Sequence, residues 1–147
     1  MLARKAGIIL DSLVLLTVLV LVGGGVLLAN QTHDRELQLD GLRYNLEVVT
    51  KPADLAKGLG GRNSLPEKSG MLFVFEKAGK HCIWMKNMRF SLDVIWLDTQ
   101  KQVVKVASEV SANSYPQEFC PDKPAKYVIE LNPGLAGGLK EGQQLSF

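Results

Sequence analysis

From Gly7 to Ala29 apolar residues follow one another almost without a break, between the basic pair Arg4 and Lys5 and the polar run Asn30-Gln31-Thr32-His33-Asp34. Beyond that point the pattern changes to short apolar runs punctuated by Gly, Pro, Asn and Asp. At ~1.5 Å per residue, a helix over Ser12 to Ala29 reaches about 27 Å, close to the depth of a bilayer's hydrocarbon core. The pattern therefore predicts a transmembrane helix, and the basic pair favours leaving the short N-terminus in the cytoplasm and the rest of the chain outside. Asp11 interrupts the run near its cytoplasmic end, where a carboxylate reaches the interface cheaply. A cleaved signal peptide is the alternative, with Leu13 to Val22 as its apolar region and Gly23-Gly24-Gly25 as small residues for cleavage. Val26 to Ala29 continue the run past that site, which favours a retained anchor; both readings export the remainder of the chain.

The short runs after the anchor predict strands over Leu42 to Val49, Gly70 to Phe75, His81 to Lys86, Leu92 to Leu97, Val103 to Ser108, Tyr127 to Leu131, and Gln143 to Phe147. Met71-Leu72-Phe73-Val74-Phe75 is apolar on both faces and is expected to be a buried central strand. Two segments read as short helices: Pro52 to Gly58, with a proline suited to the first turn and a terminal glycine, and Gly134 to Lys140. Long helices do not alternate with the strands, which excludes a doubly wound sheet. The expected class is α+β: a mainly antiparallel, compact, half-closed barrel-like domain with one or two short helices, preceded by a transmembrane helix. Residues 1–30 are the anchor or signal segment, 31–41 a linker or first strand, and 42–147 the exported β-rich domain.

The segment after Asn30 is one ordinary domain's worth of chain. Of the 17 Lys and Arg in the whole chain, two flank the anchor, and of the 15 Asp and Glu one is Asp11, so the exported part is close to neutral. That leaves no basic stripe for nucleic acid. The stretch Val110 to Lys126 holds Pro116, Pro121 and Pro124 and no strand pattern, a loop longer than a compact domain usually leaves unsupported. Cys120 sits in it, Cys82 sits on a predicted strand, and the chain has no other cysteine. In an exported domain two cysteines are most simply a disulfide, here pinning the loop beside the strand.

Candidate chemistry concentrates in His81-Cys82-Ile83-Trp84-Met85-Lys86-Asn87-Met88 and the subsequent Leu92-Asp93-Val94-Ile95-Trp96-Leu97-Asp98. Strand alternation puts Cys82, Trp84 and Lys86 on one face and Ile83, Met85 and Asn87 on the other. Asp93 shares a face with Ile95 and Leu97, so its carboxylate needs a partner, for which Lys86, Asn87 and Arg62 are the candidates. Two roles fit these groups: an internal ion pair holding a hairpin, or a ligand site built from Arg62, Trp84, Lys86, Asn87 and Asp93. For the second, an irregularity between Asn87 and Leu92 is needed to bring Lys86 and Asn87 round to Asp93. Trp96 and Met71 read as core. His81, Cys82, Met85 and Cys120 are metal-ligand types without metal-ligand spacing, so neither a metal nor a cofactor is expected.

Gly58-Leu59, Arg62, Ser64-Leu65-Pro66, Gly70-Met71-Leu72-Phe73-Val74-Phe75, Trp84-Met85-Lys86-Asn87, Leu92-Asp93 and Ala125-Lys126-Tyr127-Val128-Ile129-Glu130-Leu131-Asn132 stand in an order that resembles the family known as domain of unknown function 192. The resemblance runs from about Leu42 to Phe147. Where that family usually has Gly-Leu-Met before the arginine, this chain has Gly58-Leu59-Gly60-Gly61. Many relatives carry a cysteine pair within the long loop, whereas here Cys120 is alone there, consistent with Cys82 as its partner. The resemblance implies export and a small mainly β domain and supplies no reaction. The expected function is a membrane-anchored, extracytoplasmic binding or accessory module for a small-molecule or cell-envelope ligand, with the membrane itself as a partner through the N-terminal helix. The alternative is a hydrolase-like enzyme with Asp93 or Glu130 as general base and Arg62 or Lys86 stabilising an anion.

Overall fold

The computed structural model describes residues 34–147. The expected anchor and its possible cleavage fall on residues 1–30 and lie outside the described residues. Among those described, no helix is long and apolar enough to cross a membrane.

Strands β1 (Arg35–Leu39), β2 (Leu42–Val49), β3 (Ser69–Gly79), β5 (Leu92–Leu97), β6 (Val103–Val110) and β8 (Ala125–Leu131) form one six-stranded sheet in the order β1-β2-β3-β8-β5-β6. β4 (Ile83–Trp84) and β7 (Glu118–Phe119) form a separate two-stranded ribbon, and α1 (Pro52–Lys57) is the one α-helix among the described residues. The domain is β-rich as expected, but the sheet is mixed, because β2 and β3 pair in parallel while every other pair is antiparallel. A parallel pair requires a crossover, and α1 with the loop of residues 58–68 supplies it. The sheet is not a closed barrel. Residues 142–147 instead run past both of its edges: Val103 donates to the Gln143 carbonyl at 2.8 Å on the β6 side, and Gln38 to the Ser146 carbonyl at 3.4 Å on the β1 side.

Apolar side chains cover both faces. Met71, Phe73, Val94, Trp96 and Val128 face α1 and the ribbon, where Leu59, Ile83 and Met85 pack on them. Leu46, Leu72, Ile95, Leu97, Ile129 and Leu131 face the other way, against Ala136 and Leu145 of the C-terminal segment. β5 is consequently buried at every residue. Trp96 and Met71 are core, as expected, and Trp96 Nε1 donates to the His81 carbonyl at 2.7 Å.

Two elements differ from expectation. Gly134 to Lys140 forms turns rather than a helix, and Gln143 to Phe147 forms only an isolated bridge, Gln102 to Gln144. The sheet is tightest at Gly70, where a Cβ would lie 2.7 Å from both Leu131 Cδ2 and Leu46 Cδ2 and 2.8 Å from the Glu130 carbonyl oxygen. Gly70→Ala is expected to lower stability by about 2 kcal/mol, since backbone on one side cannot yield. A urea-melt midpoint equal to that of the wild type is the contrary result.

Candidate functional site

The crossover carries the loop Gly58-Leu59-Gly60-Gly61-Arg62 over the sheet and against the turn after β4. Contact there leaves no room for a side chain at Gly60, whose Cβ would meet the Lys57 carbonyl at 2.9 Å and the Lys86 carbonyl at 3.2 Å. Gly61 donates to the Asn87 carbonyl at 2.9 Å, and Asn87 adopts φ +59°, a left-handed conformation that asparagine tolerates better than most residues. The irregularity expected between Asn87 and Leu92 thus begins at Asn87 itself.

Between this loop, the ribbon and the sheet lies a cavity of about 190 Å³. Leu59, Phe73, Ile83, Met85 and Met88 give it apolar walls, Trp84, Lys57 and Lys86 stand at its rim, and Glu130 lines its base. The alternation expected for the Cys82 to Lys86 segment is observed: Ile83 and Met85 are buried inward while Trp84 and Lys86 are exposed. The Lys86 ammonium sits 5.5 Å from the Trp84 ring centroid, and Tyr115 meets the same indole edge-on at 6.0 Å. In the ribbon Ile83 opposes Phe119 and Trp84 opposes Glu118. One step further out Cys82 faces Cys120, and the two are joined at an S–S distance of 2.11 Å. This disulfide ties the long loop to the cavity wall, as expected. Glu118 has a carboxylate oxygen within 4.8 Å of both sulfurs, but sulfurs bonded to each other are poor metal ligands.

Registered partners across a sheet point to the same face, and Glu47, Met71, Glu130 and Val94 occupy one such row. Its two carboxylates have opposite fates. Glu47 receives both hydrogen bonds of the Arg62 Nη2, at 3.0 and 2.8 Å. Glu130, only 5% exposed, has no such partner: its Oε2 is sealed from solvent and unbonded in the described residues. Burial pushes its carboxyl up from 4.5 to about 8, with the Arg62 charge, itself paired to Glu47, acting in the opposite direction.

The residues singled out in the sequence are therefore divided. Trp84, Lys86 and Asn87 border one another and share a second shallow concavity with Lys57, Gly60 and Gly61. Arg62 is drawn off to Glu47, and Asp93 is on the opposite face of the sheet. Asp93 is fully buried, with Oδ1 accepting from the Glu109 amide and Oδ2 from the Ala136 amide, both at 2.7 Å. The expected convergence of Asp93 with Arg62, Lys86 and Asn87 is not what forms; backbone amides already satisfy its carboxylate, so no cation is needed. Glu130, which the sequence pointed to only through the enzyme alternative, is the carboxyl at the cavity. Its signal was a lone acid within the apolar run Tyr127-Val128-Ile129-Glu130-Leu131.

The model of the DUF192 family, described as an uncharacterized ACR, matches residues 35–147. Two solved structures share the fold. A proposed transcription regulator from Sinorhizobium meliloti is 24% identical, with a TM-score of 0.69 over 76% of this chain and 89% of its own. A protein of unknown function from Novosphingobium aromaticivorans is 26% identical, with a TM-score of 0.68 over 76% of this chain and 82% of its own. Comparison with curated proteins found no match.

Proposed function

Because the chain belongs to the DUF192 family, which brings a fold but no assigned reaction, we propose from its own residues that it is a binding or accessory module of the cell envelope, held at the membrane by the apolar segment of residues 7–29 and displaying its β-rich domain on the extracytoplasmic side. Its ligand site is the cavity between the crossover loop and the ribbon. One observation carries this reading: the buried carboxyl of Glu130, which lines that cavity and has no hydrogen-bond partner among the described residues. Folded proteins leave few buried polar groups unbonded, and an unpartnered carboxyl in the lining of a cavity is most economically explained by a ligand that bonds to it. The disulfide supports display in an oxidising compartment.

The hydrolase-like alternative retains Glu130 and Lys86. A carboxyl raised to about 8 is poised for proton transfer near neutrality. Asp93, with both oxygens engaged in the core, and Arg62, paired to Glu47, drop out of it. The cavity lining offers no hydroxyl, imidazole or second carboxyl beside Glu130, which favours binding over catalysis.

A small-fragment screen by amide NMR on the full chain in detergent micelles tests the site. Hits are expected to shift the Trp84 indole N–H together with the Leu59 and Met85 amides; hits scattered elsewhere would remove the cavity from consideration. Protease treatment of intact spheroplasts tests the location, with cleavage of the β-rich domain expected and full protection placing it in the cytoplasm instead.

A further inference from the structure

The surroundings of Glu130 discriminate among the chemical classes of ligand. Lys57 at the end of α1 and Lys86 in the turn after β4 stand at the cavity rim. Arg62 of the crossover loop, the charge that acts on the Glu130 carboxyl against its burial, is paired with Glu47 of β2. The neighbouring strands place Met71, Phe73 and Val94 around Glu130 and add no charge. Glu118 of β7 stands with the disulfide sulfurs and is outside the lining.

A cationic ligand entering this cavity passes two ammonium groups before it meets a carboxyl that is itself costly to ionise among apolar walls. An anionic ligand is drawn to the rim but must shed its water against the apolar lining, where Leu55 and Met88 are only partly buried. A neutral carbonyl group meets neither obstacle. It needs one donor, and a protonated carboxyl has an O–H to give.

Resting on the reading of this cavity as the ligand site, we propose that it receives a neutral acylamino group, whose carbonyl oxygen accepts a hydrogen bond from the Glu130 carboxyl while its apolar acyl end packs against Leu55 and Met88, the partly exposed apolar residues of the lining. Glu130 then acts as a neutral donor rather than a counter-ion. Binding should weaken as the carboxyl ionises above about 8, and glutamine, which keeps a donor without a titration, should substitute for it.

Three probes of similar size separate the classes: acetamide, acetate and ethylammonium, each titrated into the full chain in micelles at pH 6.5 and followed at the Trp84 indole N–H and the Leu59 and Met85 amides. Acetamide is expected to bind most tightly of the three, and to lose about tenfold in affinity by pH 9.5. Glu130→Gln is expected to stay within about threefold of the wild type and to lose the pH dependence, and Glu130→Leu to weaken binding by about tenfold. Ethylammonium binding at these residues in place of acetamide overturns the acylamino assignment and leaves the site reading standing. Loss of acetamide binding in Glu130→Gln, with its amide spectrum otherwise that of the folded wild type, also overturns it. N-acetylglucosamine and N-acetylglycinamide then distinguish a sugar-borne from an amino-acid-borne group: tighter binding of one than of acetamide supports the proposal and names the carrier, and weaker binding of both counts against it.

Discussion

Replacing Asp93 by asparagine is expected to destabilise the domain by roughly 3 kcal/mol or more, although shape and size are nearly kept. In the β5–β6 pair Leu92 opposes Val110 and Val94 opposes Ala107, so Asp93 alone faces both Ser108 and Glu109. That is a β-bulge, and it deprives one strand of a regular ladder partner. Glu109, at φ +53°, turns its amide to Asp93 Oδ1, while Oδ2 takes the Ala136 amide from a segment 43 residues away. A carboxylate can accept from both amides at once. A carboxamide accepts from one and points its own N–H₂ at the other, leaving two donors face to face in a site closed to solvent. Urea denaturation gives the answer. A loss below about 1 kcal/mol would mean that the carboxylate has open valence for a ligand after all, and would return Asp93 to the candidate site.

Glu130→Gln is expected to act in the opposite sense and to depend on pH. In the folded chain the Glu130 carboxyl keeps its proton up to about 8, whereas in the unfolded chain it loses it near 4.5. Between those values the folded state binds more protons than the unfolded one, so stability falls as pH rises, by about 1.4 kcal/mol per pH unit for this one group. Below about 4.5 both states are protonated and the penalty vanishes. The glutamine variant carries no such penalty, and at pH 7 to 8 it should be more stable than the wild type by roughly 3 to 4 kcal/mol, with the two converging near pH 4.5. Urea melts across that range check it. Parallel stability curves would show that Glu130 ionises as readily in the fold as outside it, and would weaken both functional readings of the cavity.

Much of the framework was legible because the alternation of apolar and polar residues records burial directly. Leu42–Val49 and Leu92–Leu97 are strands at the bounds the pattern predicted, and the two faces of the Cys82 to Lys86 segment follow from alternation alone. The cysteine pair was legible from its number and from the export expected of the chain. The parallel pairing of β2 with β3 was not, since the usual sign of a crossover is a long amphipathic helix and here α1 has 6 residues. Gly134 to Lys140 misled in another way: a short run of helix-compatible residues became turns once the Ala136 amide was drawn to a carboxylate on a distant strand. At the site, the need of Asp93 for a partner was correctly read, but its partners are main-chain amides, which have no letter of their own in a sequence. Glu130 was the reverse case. It sits in the otherwise apolar run Tyr127 to Leu131, and only three dimensions show that nothing among the described residues answers its carboxyl.

The course of residues 142–147 has a mechanical consequence. β1 and β6 lie at opposite ends of the strand order, and in an open sheet each would fray on its own. Here one short strap touches both, through Gln38 and Ser146 on one side and Val103 and Gln143 on the other, with Leu145 buried between the two anchorages. Lifting either margin therefore loads the same strap, and the two most distant strands of the sheet are coupled to open as one event. The strap also occupies main-chain bonding positions on both margins that a strand from another molecule would otherwise be free to take.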